Sequence, residues 1–195
     1  IDDSGLDIGQ DQTSTDGCIL TPYSNTKNSP LTFTIGTSPA FYCQLSVKVV
    51  EWSGCVPLVV GFHGTAAATN PLQVHTATFA DYTDKATIGV SGGAAGVSGD
   101  IQIVTALNNV ADVTTDTTDN AADGTVVKTF RVNVSGAGVV TYQHDNAAVG
   151  TLAAPTTTAA FTFDTGDIVA PMIYFIHGAN VAGAVELMEF RCAYQ

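Results

Sequence analysis

Charged residues are scarce in this chain of 195 residues. They occupy 12% of the positions, whereas an ordinary soluble domain has about 25%. A surface with so few charges must use other polar groups. Threonine, present 27 times, suits exposed strands because its β-branched side chain also forms hydrogen bonds. The shortage of charge therefore favours a threonine-rich sheet protein.

Basic residues are the scarcest charged type. Six Lys and Arg against 18 Asp and Glu give a net charge of -12, and such a field repels nucleic-acid phosphates and anionic membranes. Fifteen of the acidic residues are Asp, mostly beside Gly, Asn or Thr, where Asp commonly stabilises turns. We therefore expect neither nucleic acid nor membrane among the partners.

Long hydrophobic runs are missing as well. No stretch of 18 apolar residues occurs, so no transmembrane helix is expected. No segment keeps a helical period over more than two turns. Short strand-like segments separated by turn residues fill the chain instead, which is typical of one antiparallel β-sandwich or barrel.

The clearest strand pattern lies in the last third of the chain. Residues 129–134 alternate apolar with polar side chains, residues 135–138 supply a turn and residues 139–144 run back, which predicts a β-hairpin. The longest single strand candidate covers residues 41–52. Its core-facing positions are Phe41, Cys43, Leu45, Val47 and Val49.

Residues 1–30 differ from the remainder of the chain. They are polar, interrupted by prolines and poor in the apolar residues that would offset the entropy of ordering them. We predict an extended N-terminal arm over 1–30, ordered by the sandwich edge or by a neighbouring molecule, and a β-sandwich domain over 31–195.

The four cysteines follow no metal-binding or CxxC spacing. They are Cys18, Cys43, Cys55 and Cys192. Reduced, buried thiols and at least one disulfide both remain open. Cys43 and Cys55 lie in neighbouring strand-like runs, so they are candidates for cross-strand partners.

Catalytic signatures are missing. No G-x-S-x-G nucleophile turn occurs. Glu186 and Glu189 share a strand but stand three residues apart, so they are expected on opposite faces, unlike the paired carboxylates of a glycosidase. Glu51, at a strand end, is expected to reach solvent or pair with a base. We predict no enzymatic activity and no cofactor.

Metal-binding patterns are weak. His63 and His177 both end strands before a glycine and are placed to converge at one end of the sandwich, as a metal or pH-sensitive pair or as ordinary edge histidines. Residues 116–120 and 164–167 supply oxygen atoms for calcium, although neither follows a calcium-loop template.

A carbohydrate site on such a fold usually includes an exposed aromatic platform. The candidates for glycan contact are Trp52, Tyr82 and Tyr142. Trp52 directly precedes a Ser-Gly turn, where it is equally suited to cover the core.

Four segments resemble the concanavalin-like jelly-roll family that includes laminin G-like domains. They are residues 99–103, 123–132, 140–145 and 185–190. The resemblance spans about residues 31–195 and implies an all-β, antiparallel β-sandwich of the jelly-roll type. Asp145-Asn146 stands where the family usually has Asp-Gly.

A narrower set of segments is similar to structural proteins of tailed bacteriophages. They are residues 115–119, 161–167, 169–171 and 192–195. This likeness implies a non-enzymatic virion protein on the capsid surface, a decoration or cement protein. Its partner would be the major capsid protein, and it would form a homo-oligomer, with a trimer favoured. The alternative is a carbohydrate- or receptor-binding module of a phage fibre or spike.

Overall fold

The computed structural model describes residues 5–8, 17–21, 31–49, 52, 55–64, 79, 82–90, 99–121, 126–145, 156–177 and 185–195. Within these ranges the chain forms 13 β-strands. They are β1 (Leu6–Asp7), β2 (Gly17–Leu20), β3 (Phe33–Thr34), β4 (Phe41–Val49), β5 (Cys55–Gly64), β6 (Lys85–Val90), β7 (Asp100–Ala106), β8 (Val113–Asn120), β9 (Val127–Val134), β10 (Val139–His144), β11 (Thr156–Thr162), β12 (Ile168–His177) and β13 (Val185–Tyr194). None of these ranges holds a helix with the length and apolar character that crossing a bilayer requires.

The described strands form two antiparallel sheets. The six-stranded sheet has the order β1-β13-β4-β9-β10-β11, and the seven-stranded sheet has the order β2-β12-β5-β6-β7-β8 with β3 beside β12. In each sheet a strand from the end of the chain lies between two strands from its beginning, as β13 does between β1 and β4. The predicted antiparallel β-sandwich is confirmed.

The core lies between the two sheets. Along β4, buried and half-buried residues alternate at every position, and the five positions predicted to face the core are all at most 1% exposed. Three aromatic rings meet near the start of this strand. Phe33 stacks on Phe41 with ring centroids 4.1 Å apart, and Phe62 stands edge-on to both. This geometry is favourable for aromatic rings because edges and faces carry opposite partial charge.

The predicted hairpin in the last third is also present. β9 and β10 pair from Val134 opposite Val140 to Phe130 opposite His144. The N–H of Gly138 donates to the carbonyl of Ser135 at 2.9 Å. Gly138 has a φ of 85°, and a Cβ there would come within 2.6 Å of the Phe163 carbonyl oxygen. Glycine is required at this turn for both reasons.

Two prolines lie inside strands, each where the pairing on one side is irregular or absent among the described residues. Pro57 in β5 lies opposite an irregularity in β12, between Phe175 and His177. Pro171 in β12 follows the residues paired with β3 and precedes those paired with β2, so on that side it faces no described strand. A proline lacks the N–H that a ladder needs, and both positions avoid that cost.

The described parts of residues 1–30 belong to the sandwich edges. β1 pairs with β13 and β2 pairs with β12, while Ile8, Cys18 and Leu20 pack against the core. The sequence predicts that either the sandwich edge or a neighbouring molecule orders this segment. In its described residues the sandwich edge does so. An arm that reaches a neighbouring molecule stays a prediction.

The strand register corrects the expected cysteine pairing. Cys43 lies opposite Cys192, in the same sheet, whereas β5, which begins at Cys55, belongs to the other sheet. Cys18, Cys43 and Cys192 are free thiols, so a bond between Cys43 and Cys55 is wrong. Burial raises the pKa of Cys192 to about 12 and raises the pKa of Cys43 well above its usual value.

Candidate functional site

The outward side of the six-stranded sheet carries a layer of polar side chains. On β4, β9, β10 and β13 these positions alternate with core residues and therefore point away from the core. We call this layer the polar face. Apart from buried Thr129 and exposed Arg191, its members are half-buried. They are Tyr42, Gln44, Ser46, Lys48, Thr129, Arg131, Asn133, Thr141, Gln143, Glu186, Glu189 and Arg191.

Register places four of these side chains in one row across the sheet. Arg191 on β13 lies opposite Gln44 on β4, Gln44 lies opposite Arg131 on β9, and Arg131 lies opposite Gln143 on β10. Neighbouring strands are about 4.8 Å apart, so the row presents two guanidinium and two carboxamide groups at regular intervals. Because strands support it, the row is suited to hold a ligand in a defined orientation.

A neighbouring row, in which Tyr42 on β4 lies opposite Asn133 on β9, stabilises the first row. The Arg131 guanidinium lies 3.7 Å above the centre of the Tyr42 ring, and its Nε donates to Oδ1 of Asn133 at 2.8 Å. Nδ2 of Asn133 donates in turn to Oε1 of Gln143 at 3.0 Å, and Gln195 donates to the same Asn133 oxygen at 3.0 Å. These contacts fix the plane of the guanidinium and the orientation of the amides.

Both glutamates of β13 lie on the polar face, contrary to the sequence-based expectation. The register shifts between Leu187 and Glu189, and this bulge places one extra residue in β13, which reverses the alternation of its side chains. Glu186 bonds Lys48 at 2.9 Å, and Glu189 bonds Arg191 at 2.5 Å. The spacing argument against a carboxylate pair is therefore wrong, although each of these carboxylates already has a cationic partner.

Apolar side chains cover the outward side of the seven-stranded sheet over β5 and β12. Phe79 and Tyr82, which lie before β6, pack onto a buried apolar cluster on this side that includes Val59, Met172 and Tyr174. The Tyr174 ring lies 5.0 Å from Phe79 and 6.1 Å from Tyr82. Among the described residues the two outer sides of the sandwich thus differ, because apolar side chains cover β5 and β12 whereas the polar face carries mostly half-buried polar side chains.

The three aromatic residues predicted to contact glycans are buried. Trp52 and Tyr142 are 0% exposed and Tyr82 is 6% exposed. Trp52 packs edge-on against Phe130, with ring centroids 6.1 Å apart, as expected for its alternative role in covering the core. Burial raises the pKa of Tyr142, whose hydroxyl has no hydrogen-bond partner among the described residues. None of the three offers an aromatic platform to solvent.

The two histidines expected to converge lie at opposite ends of the sandwich. On β12 the partner of His63 is Ala170, whereas His177 lies seven residues further along, opposite Cys55. A rise of about 3.4 Å per residue separates them by more than 20 Å. A metal or pH-sensitive pair formed by these two histidines is therefore wrong.

A second polar cluster lies at the end of the sandwich that includes His63. The backbone N–H of Asn108 donates to Asp84 at 2.6 Å, and its Nδ2 donates to Asp164 at 2.8 Å. The backbone N–H of Asp164 donates to Asp167 at 2.9 Å. Burial, and then the nearby Asp164 and Asp84 carboxylates, raise the pKa of Asp167, against a backbone hydrogen bond that lowers it.

The two acidic segments considered for calcium have different surroundings. Residues 164–167 form the turn between β11 and β12, beside Asn108 and Asp84. Residues 116–120 lie instead in the edge strand β8, where Thr118 has a φ of 67°. In the part of the chain that the structure describes, no three His, Cys, Asp or Glu side chains form a group that could hold a metal ion.

No protein-family model matches the sequence, and a search of curated proteins finds no match. Solved structures do match. The carbohydrate recognition domain of Emp46p in its potassium-bound form has a TM-score of 0.58 at 10% identity, with 93% of this chain and 79% of that chain covered. A legume lectin-like domain from Entamoeba histolytica has a TM-score of 0.52 at 10% identity, with 98% and 88% covered. Alginate lyase A1-II' has a TM-score of 0.51 at 14% identity, with 91% and 70% covered.

The sandwich is thus a jelly roll of the concanavalin and legume-lectin type. At these identities the likeness defines the fold alone. The neighbours include both lectin-like domains and an enzyme, so the expected lack of catalysis stays a prediction. None of the three is described as a virion protein, and the likeness to phage head proteins has no support from these comparisons.

Sequence reasoning did not single out the polar face as a site. One signal was available, because Gln44, Lys48, Arg131 and Arg191 all occupy alternate positions in strand-like segments. Lys48, Arg131 and Arg191 are also three of only six basic residues in the chain. Which strands are neighbours, and therefore which of these side chains meet, depends on long-range pairing that one sequence does not reveal.

Proposed function

We propose that this chain is a carbohydrate-binding module that holds a glycan on the polar face. The observation that carries the proposal is the row formed by Arg191, Gln44, Arg131 and Gln143 across four adjacent strands. Amide and guanidinium groups are suitable partners for sugar hydroxyl and ring oxygens. Lectin-like domains among the structural neighbours support this class of function.

Recognition on this face would rest on hydrogen bonds rather than on aromatic stacking alone. Tyr42 is the only aromatic member of the polar face as defined above, and the Arg131 guanidinium already lies over its ring. A few well-placed polar groups set the orientation of a small ligand. The hydrogen bond that Asn133 donates to Gln143 holds such a group in place before a ligand arrives.

A glycan array followed by calorimetry tests the proposal. Gln44→Ala and Gln143→Ala should each weaken binding about 10-fold, because each removes a side chain of the row and its hydrogen bonds to the glycan, worth about 1 to 2 kcal/mol. Thr114→Ala, an exposed position on the edge strand β8, is the matched control and should leave affinity unchanged. Absence of binding to every glycan, with the wild-type protein folded, would refute the proposal.

The sequence predicts a location on the capsid surface, the major capsid protein as partner, and a trimer. These predictions concern the virion rather than the polar face. Nothing in the structure tests them, and a fibre or spike module that binds carbohydrate is compatible with the polar face. Electron microscopy of native particles would decide between the two. Density for this protein on a phage head would support the decoration role, and its absence from particles would contradict it.

A further inference from the structure

The polar face has an unusual charge for this protein. Three of the six basic residues of the chain lie on it, Lys48, Arg131 and Arg191, against two carboxylates, Glu186 and Glu189. Its charge is therefore one net positive unit, whereas the whole chain carries -12. Two further lysines, Lys85 and Lys128, are buried, so basic groups that solvent can reach are concentrated on this face in the described part of the chain.

Only one of the three cations lacks a carboxylate partner among the described residues. Lys48 is bonded to Glu186 at 2.9 Å, and Arg191 is bonded to Glu189 at 2.5 Å. Arg131 instead donates its Nε to the neutral amide oxygen of Asn133. A guanidinium has five N–H donors, and no hydrogen bond from the two terminal nitrogens of Arg131 to a described residue is found.

The position of Arg131 is well defined. Tyr42 supports one side of its guanidinium at 3.7 Å, and β9 lies in the interior of the sheet, between β4 and β10. Gln44 and Gln143 flank it in register. A planar guanidinium that is held in this way is suited to bind a carboxylate through two parallel hydrogen bonds.

We infer that the glycan held on the polar face is acidic, and that Arg131 binds a carboxylate of one of its uronic acid residues. The flanking Gln44 and Gln143 would contact hydroxyl groups of the same or the adjacent sugars. This inference rests on the proposed carbohydrate-binding function and adds the class of the ligand. The net charge of -12 opposes a polyanion at long range, so specific contacts at Arg131 must supply the attraction.

Oligouronates and their methyl esters provide the test. Esterification keeps the sugar backbone and removes the charge, so a panel of oligogalacturonate, oligomannuronate, oligoguluronate and oligoglucuronate is measured by calorimetry in both forms. At least one acid should bind about 10- to 100-fold more tightly than its ester, which is the value of a charge-assisted hydrogen-bonded pair. Neutral glycans should bind no more tightly than the ester.

Three variants locate the effect. Arg131→Gln should abolish the preference, so that the acid and its ester bind this variant within about twofold of each other. Arg131→Lys should retain part of the preference because it keeps the charge and loses the two parallel bonds. Thr114→Ala, at an exposed position on β8 outside the polar face, is the control and should retain the preference. Circular dichroism and urea midpoints confirm that each variant is folded.

The possible failures are distinguishable. If an acid and its ester bind equally, or if only neutral glycans bind, the role of Arg131 is wrong while the carbohydrate-binding function stands. If the preference for acid survives in Arg131→Gln, a different cation is responsible and the inference is overturned. If the folded protein binds neither acidic nor neutral glycans, both the inference and the proposed function are wrong.

Discussion

Acidification should destabilise this protein through one buried histidine. His63 is 0% exposed and is packed edge-on against Tyr82, with ring centroids 5.1 Å apart. Its Nδ1 donates to the carbonyl of Gly64 at 2.9 Å, and its Nε2 lies 3.3 Å from the Thr21 hydroxyl, which can donate to it. This arrangement suits the neutral ring, and burial lowers the pKa of His63 from 6.5 to about 4.

The sign and size of the effect follow from these values. Because the pKa is lower in the folded state, the unfolded chain binds a proton between pH 6.5 and about 4 that the folded protein does not. The contribution is complete above pH 6.5 and is lost as the pH falls toward 4. Between pH 7 and pH 5 the expected loss of unfolding free energy is about 2 kcal/mol, rising to about 3 kcal/mol at lower pH.

Urea unfolding at pH 7, 6 and 5 measures this loss directly. His63→Gln keeps a side chain that can donate to the Gly64 carbonyl and removes the titration, so the difference in unfolding free energy between wild type and variant should shrink by about 2 kcal/mol from pH 7 to pH 5. His144, whose pKa is also lowered, mainly by burial, is present in both proteins. Its contribution to the pH dependence therefore cancels in the difference. Parallel pH profiles of wild type and variant would refute the reasoning.

Three further changes test other parts of the structure. Trp52→Ala removes an indole that is 0% exposed and should cost about 3 to 5 kcal/mol, and a urea midpoint equal to that of wild type would contradict its burial. Asp112→Asn removes the carboxylate 2.6 Å from the buried ammonium of Lys85 and should cost about 1 to 3 kcal/mol by the same assay, with Asp116→Asn as a surface control. Iodoacetamide should modify Cys192 at pH 8 about a thousandfold more slowly in the native than in the urea-unfolded protein, because its pKa of about 12 leaves little thiolate. Equal rates would contradict the raised pKa of this half-buried thiol.

The sequence predicted the elements in which side-chain periodicity is undisturbed. In β4 and in the hairpin of β9 and β10, alternation identified both the strands and their buried sides, since a strand that covers a core must present apolar residues at every second position. In β13 the same reasoning failed. The bulge before Glu189 leaves no pattern in the residues themselves, and a single extra residue exchanges the two faces of the strand.

Prediction of the site failed for a related reason. Trp52, Tyr82 and Tyr142 are the aromatic residues that the sequence offers for glycan contact, but burial depends on the strands that pack above them. The positions of His63 and His177 in the chain also do not reveal that these residues lie at opposite ends of the sandwich. Their separation follows from the antiparallel pairing of β5 and β12. The type of a residue indicates which contacts its side chain can make, whereas strand pairing determines where in the fold those contacts are made.

The insertion of late strands between early ones has a consequence for how the chain folds. β13 separates β1 from β4, and β12 separates β2 from β5. Neither sheet can therefore form completely until almost the whole chain has been synthesised. Contacts between such distant segments require large loops to be ordered first, which places sheet proteins of this kind among the slower folders, on the order of milliseconds to seconds. During synthesis on the ribosome, the edges of β4 and β5 that later receive β13 and β12 have no partner, and pairing between nascent chains is the competing reaction at that stage.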